Sequence, residues 1–225
     1  MSQSERLKAI VLKRTDYAEA DRIIQLLTPQ GRRTVIAKGV RRQRSKLAGG
    51  IELFAVSDVV IRSGRGQLEL LTSAQLIAFY RHIIEDYERM RFAYNALRLV
   101  ARASEQIDEP GWFEVLMAVF AQLDQPLASR TLTEVWFYLR YASLRGEELN
   151  LISDALGQPL RAEKTYMYDS AERALRPSRQ GDITADHIKL LRLMATSPLT
   201  ALSQLGGIDA VIDQCWLLAQ AHAAE

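Results

Sequence analysis

The sequence has a single cysteine, Cys215, among 225 residues. That excludes an internal disulfide and any multi-cysteine zinc site. Histidine is almost as scarce. His82, His187 and His222 stand far apart, without the spacing that metal ligation requires. Proline (6) and glycine (12) are too few for a collagenous or low-complexity chain. The longest uncharged stretch, Leu193 to Ile208, is interrupted by Pro198, Gly206 and Gly207, so no membrane-spanning helix is expected. The opening residues, Met1-Ser-Gln-Ser-Glu-Arg-Leu-Lys8, lack the apolar core of a secretion signal. The common enzyme signatures are also missing. There is no Gly-x-x-x-x-Gly-Lys-Ser/Thr loop and no Gly-x-Ser-x-Gly elbow, and Gly64-Arg-Gly66 is too short for a dinucleotide fingerprint. These absences predict a cytoplasmic, non-catalytic protein with no metal and no cofactor. Cys215 reads as a buried, inert thiol in an apolar helix stripe.

What the chain does contain is ordinary globular material, 48% hydrophobic and 25% charged, enough for one large domain or two small ones. Its net charge of +2 hides an uneven distribution. Residues 1–50 hold 12 Lys/Arg against 4 Asp/Glu, a balance of +8. Residues 51–80 balance at −1 and residues 81–225 at −5. Gly31 to Lys46 carries seven cations and no acid: Arg32, Arg33, Lys38, Arg41, Arg42, Arg44 and Lys46. Such a run can be no more than a solvated loop. Yet cations without local acids repel one another, which points to an external polyanion at this end of the chain.

The hydrophobic period changes once. Up to about residue 75 it is strand-like, with runs at Leu7–Val11, Asp21–Thr28, Thr34–Lys38, Phe54–Arg62 and Gln67–Thr72. Pro29-Gln-Gly31 and Ser63-Gly-Arg-Gly66 supply turns. Five short strands suit a small closed barrel of OB type, and an SH3-like barrel fits the count nearly as well. Beyond that the period is helical. Phe79, Ile83, Tyr87, Met90, Tyr94, Leu97 and Ala101 predict one helix of more than twenty residues. Further stripes begin at Trp112, Leu132, Ile188 and Ile208, and pooling their apolar faces predicts a single bundle. The expected class is α+β, with a barrel over 1–78, a helical domain over 79–225 and an irregular insert over about 150–182. Within the insert, Lys164–Tyr168 is expected to pair with a strand near Ala174-Leu-Arg176.

Residues 1–78 contain only two aromatics, Tyr17 and Phe54. Barrels that grip single strands by stacking usually display several. A nucleic acid on this barrel is therefore expected to be held through its phosphates, with weak sequence preference and strong salt dependence. Two other readings remain open: a non-catalytic adaptor whose barrel binds an acidic protein, and an RNA-binding barrel of the cold-shock kind, which the lack of aromatics disfavours.

Three pieces in order resemble the RecO family of recombination mediators. They are Lys38-Gly-Val-Arg-Arg-Gln-Arg-Ser-Lys-Leu-Ala-Gly49, then Phe54, then Gly64-Arg-Gly-Gln-Leu68 with Leu71-Thr72. Asp21 to Gly31 resembles the family's second strand and turn. The resemblance implies an N-terminal OB barrel, a helical domain and a small insert that often carries a four-cysteine zinc site. It implies binding of single- and double-stranded DNA, annealing of complementary strands, and help in loading recombinase onto strands coated by single-strand-binding protein. The implied partners are RecR, the acidic C-terminal tail of single-strand-binding protein and, indirectly, the recombinase, with the protein associated with the nucleoid. This chain departs from the pattern because it lacks the zinc-site cysteines. Its insert must be held by its own packing, with Tyr166, Met167 and Tyr168 as candidates.

The expected DNA contacts are a rim of Arg41, Arg42, Arg44 and Lys46, and an adjacent face of Lys13, Arg14, Arg33, Lys38 and Arg65. Neutralising phosphates on two strands at once lowers their repulsion and promotes annealing without ATP. An acidic tail ending in an apolar residue needs a hydrophobic pocket flanked by cations. Arg130, Trp136 and Arg140 are the candidates for it.

Overall fold

A computed structural model describes residues 4–63, 68–202 and 205–224. Its first part is a closed five-stranded barrel of OB type, with strand order β1-β2-β3-β5-β4. The strands are β1 (Ser4–Tyr17), β2 (Asp21–Thr28), β3 (Gly31–Ala37), β4 (Ala55–Arg62) and β5 (Glu69–Phe79). All neighbours are antiparallel except β3 and β5, which meet in parallel at Val35↔Glu69 and Ile36↔Leu70. Alternation makes the core. Leu7, Ala9 and Val11 of β1, Ile24 and Leu26 of β2, Val35 and Ala37 of β3, and Val59 and Ile61 of β4 form one buried cluster. Val40 and Ile51, from the connection between β3 and β4, join the same cluster. At the β2–β3 turn Gly31 adopts φ 101°, a value that side-chain-bearing residues rarely reach.

Ile10 and Leu27 pair across β1 and β2 on the side away from that cluster, yet both are fully buried. They are covered because α2 (Tyr87–Ala103) packs on β1 and α3 (Gly111–Leu123) packs on β2. The barrel therefore has an apolar outer wall as well as an apolar interior, and the first long helices bury against it. This corrects the expectation of a single helical bundle. Two compact units result, Met1–Pro126 and Leu127–Glu225, with α2 and α3 in the first.

The expected long helix starting at Phe79 does not form either. Phe79 ends β5, α1 (His82–Glu85) is a single turn, and Asp86 interrupts with an extended backbone (φ −124°, ψ 122°). The Asp86 side chain then accepts from the Arg89 N–H and caps α2. Tyr87 and Tyr94 fall on the exposed flank, while Phe92, Ala93, Ala96, Leu97 and Val100 make the buried stripe.

The second unit holds α4 (Arg130–Leu144), a hairpin of β6 (Tyr166–Asp169) and β7 (Ala174–Pro177), then α5 (Ala185–Thr196), α6 (Leu199–Leu202) and α7 (Asp209–Ala223). α4 and α7 form its main helix pair, with α5 packed on both. The stripe residues Leu132, Val135 and Leu139 of α4, Ile188, Leu191 and Met194 of α5, and Ile212, Cys215 and Leu218 of α7 are buried. The hairpin pairs Tyr168 with Leu175 and Tyr166 with Pro177, so the two segments expected to pair do so. Tyr166 is fully buried and exchanges two backbone hydrogen bonds with Ile183, at 2.9 Å each. Its hydroxyl accepts from the Arg161 N–H at 2.8 Å. Tyr168 shares a 2.9 Å hydrogen bond with His222. Met167, by contrast, is exposed and plays no such part.

Candidate nucleic-acid interface

Residues 38–46 leave the barrel at the end where β1 turns into β2. Two hydrogen bonds donated by backbone N–H groups tie them there. Gly39 N–H donates to Asp21 Oδ1 at 2.7 Å, and Arg41 N–H donates to Ala20 O at 3.0 Å. Lys38, Arg41, Arg42, Arg44 and Lys46 are thereby gathered at one end of the barrel, all exposed.

Some of the missing counter-charge comes from β1. Asp16 accepts from Arg22 Nε at 2.8 Å and lies 3.6 Å from Arg41 Nε. The Arg22 hydrogen bond is the main reason the Asp16 carboxyl sits below its ordinary pKa, with the charges of Arg41, Arg22 and Arg14 adding to it. The side chains of Lys38, Arg42, Arg44 and Lys46 make no hydrogen bond or ion pair among the described residues. The acid-free run therefore keeps four cations facing solvent. Arg41 is partly engaged.

The other expected contacts do not share one surface. Arg14 pairs with Ile24 on the core-facing row, and its guanidinium reaches Glu52 Oε2 at 3.0 Å and Ile51 O at 3.3 Å. Arg33 pairs with core-facing Leu26, its Nε is buried without a partner, and its nearest carboxylate is Glu5 at 4.0 Å. Arg32 is drawn to Glu105 at 2.9 Å. Arg65 lies outside the described residues.

Lys13 is re-aimed by a bulge. Val11 pairs with Leu26 and Lys13 with Gln25, so Leu12 is an extra residue with no cross-strand partner. Without it, alternation would turn Lys13 toward the barrel interior. With it, Leu12 and Lys13 both face α2. They line a cavity of about 380 Å³ together with Gln25, Tyr94, Arg98 and Arg102. Tyr94 packs edge-on against the buried Phe54 ring, with centroids 4.8 Å apart. Sequence reasoning missed Gln25, Tyr94, Arg98 and Arg102. The i, i+4 pair Arg98 and Arg102 was the one available signal, whereas a bulge leaves none.

In the second unit the three candidates for a partner pocket are engaged by the fold. Trp136 is 5% exposed and its indole N–H donates to Ser197 O at 3.0 Å. Arg140 stacks over the Trp136 ring at 5.5 Å and also donates to Ser197 O, at 3.3 Å. Arg130 pairs with the buried Glu134 carboxylate, which also accepts from Trp216. These contacts satisfy the end of α5 and join α4 to α7.

Comparison with known proteins decides the family. The model described as Recombination protein O N terminal matches residues 1–80, and that described as Recombination protein O C terminal matches residues 84–219. The chain belongs to the RecO family. A DNA repair protein RecO of Roseiflexus sp. is 36% identical over 153 residues, covering 68% of this chain and 50% of that protein. One from Synechococcus elongatus is 36% identical over 126 residues, 55% of this chain and 47% of that protein. One from Dehalococcoides mccartyi is 26% identical over 208 residues, 89% of this chain and 81% of that protein. The chain thus spans about half the length of several curated RecO relatives it matches and most of another. Among the described residues no cluster of three potential metal ligands occurs, and no helix is long and apolar enough to cross a membrane.

Proposed function

We propose that this RecO-family chain acts in DNA repair and homologous recombination by binding single- and double-stranded DNA through phosphates. The observation that carries the reading is the group Lys38, Arg42, Arg44 and Lys46, left without carboxylate partners at one end of an OB barrel. A DNA strand supplies the missing anions, and Arg41 can join by exchanging Asp16 for a phosphate. Screening phosphates on two strands while leaving bases free to pair promotes annealing. Family membership supports the wider role. In that role the chain works with RecR and the C-terminal tail of single-strand-binding protein, and so helps recombinase load onto coated strands. No chemical step is required of it.

The test is the salt dependence of binding to an unstructured oligonucleotide. With about five phosphates engaged, log affinity should fall against log salt with a slope near −3.5. Replacing Arg42, Arg44 and Lys46 together with alanine should weaken binding equally on all sequences and flatten the slope by about 2. A slope near zero in the unaltered chain would overturn the reading, as would a loss confined to particular sequences.

A further inference from the structure

The cavity between β1, β2 and α2 has no place in phosphate-only binding, yet its walls are not those of a packing defect. On one side lie the apolar side chains of Leu12, Leu53 and Leu97. Tyr94 contributes an aromatic ring that is 47% exposed and steadied by Phe54, itself 2% exposed and in contact with Phe120. Lys13 and Arg98 add positive charge from opposite elements, and Gln25 adds an amide with no hydrogen bond among the described residues. An apolar slot, a flat ring, a hydrogen-bonding amide and flanking cations match the four chemical features of one nucleotide. The volume of about 380 Å³ is in the range of small-ligand sites.

We propose that this cavity accepts one nucleotide of a single strand, with its base against Tyr94 and the leucines and its phosphate between Lys13 and Arg98. The proposal rests on the DNA reading above and deepens it. The barrel strands place no aromatic ring in this cavity, and α2 supplies one. A base in a duplex is paired and stacked, so it cannot enter without being flipped out. The cavity therefore distinguishes single from double strands, which the cations at the barrel end do not. It also releases its base when that base finds a complement. Glu105 lines the same cavity and is paired with Arg32, which leaves Lys13 and Arg98 to receive the phosphate.

The test uses the full chain with Tyr94→Leu, which keeps an apolar contact for Phe54, and Tyr94→Phe, which keeps the ring. Affinities are measured for a fluorescent oligothymidine and for a blunt duplex, along with quenching of a 2-aminopurine placed within the single strand. Tyr94→Leu should weaken single-strand binding roughly 5- to 100-fold, leave duplex binding and the salt slope unchanged, and abolish the quenching. Tyr94→Phe should behave as the unaltered chain. Gln25→Ala, which removes no packing ring, should reduce quenching in the same direction. Equal losses on both DNA forms, or no change in quenching, would overturn the proposal. So would loss of binding to an acidic peptide with single-strand affinity intact. If the Arg42/Arg44/Lys46 variant loses DNA while the Tyr94 variants do not, only the cavity assignment fails. If the unaltered chain binds no DNA, the underlying reading fails with it.

Discussion

Burial lowers the proton affinity of both His187 and His222 below the ordinary histidine value of 6.5. His222 is placed to stay neutral. One ring nitrogen meets Glu147 O at 2.7 Å and the other meets the Tyr168 hydroxyl at 2.9 Å. Protonation would put a donor where the ring now accepts from Tyr168. The sign of the pH effect follows. As pH falls through about 6.5 the unfolded chain takes up protons before the folded one, so stability declines, and the decline levels off below the folded values. Above about pH 7 these groups contribute no slope. Asp16 and Asp169, held low, remove further stability in a separate, more acidic window. Thermal melts at pH 7.5, 6 and 5 should show the first loss, and His222→Gln should flatten it. Cys215 lies at the other extreme, a thiol pushed up to about 12 by burial and so a poor nucleophile.

At the scale of elements, period-2 alternation made the strands legible, because one face of each closes on the barrel core. Two features escaped it. The bulge at Leu12 is a local choice between equally apolar neighbours, Val11 and Leu12, and nothing in the residue types marks which is extra. The break at Asp86 is hidden because Ile83, Tyr87 and Met90 continue a helical spacing across it. Helical period cannot see a cap that lies inside the run. Asp86→Ala should cost about 1 kcal/mol, read as a lower urea midpoint with an unchanged slope. The candidate site was legible only in part. A charge run without acids is visible in one dimension, so Arg42, Arg44 and Lys46 could be read from it. The inward row of Arg14 and Arg33 and the outward turn of Lys13 depend on strand pairing. The arginines around Trp136 carried the right chemistry for a ligand pocket, but Ser197, distant in sequence, engages Arg140 and Trp136, while Arg130 is held by Glu134 one turn on, which the distant Trp216 also binds.

For the molecule as a whole, the change from strand to helix near residue 80 is a boundary of secondary structure. Compactness changes later, between Pro126 and Leu127. Ile10 and Leu27 explain the difference, since a barrel cut at residue 80 would expose them. A piece comprising residues 1–126 is expected to fold cooperatively and retain DNA binding, while residues 1–80 alone should aggregate or remain molten. Circular dichroism melts and gel shifts on the two pieces would decide this. Retained binding by a well-folded 1–80 piece would show that α2 and α3 are dispensable.

The hairpin of the second unit is secured by Tyr166, through its exchange with Ile183 and the hydrogen bond its hydroxyl accepts from the Arg161 N–H. The hairpin carries no cysteine, so its anchor is an aromatic ring and a pair of backbone hydrogen bonds rather than sulfur. Because Ile183 leads directly into α5, loss of the Tyr166 ring should loosen the hairpin and the start of that helix together.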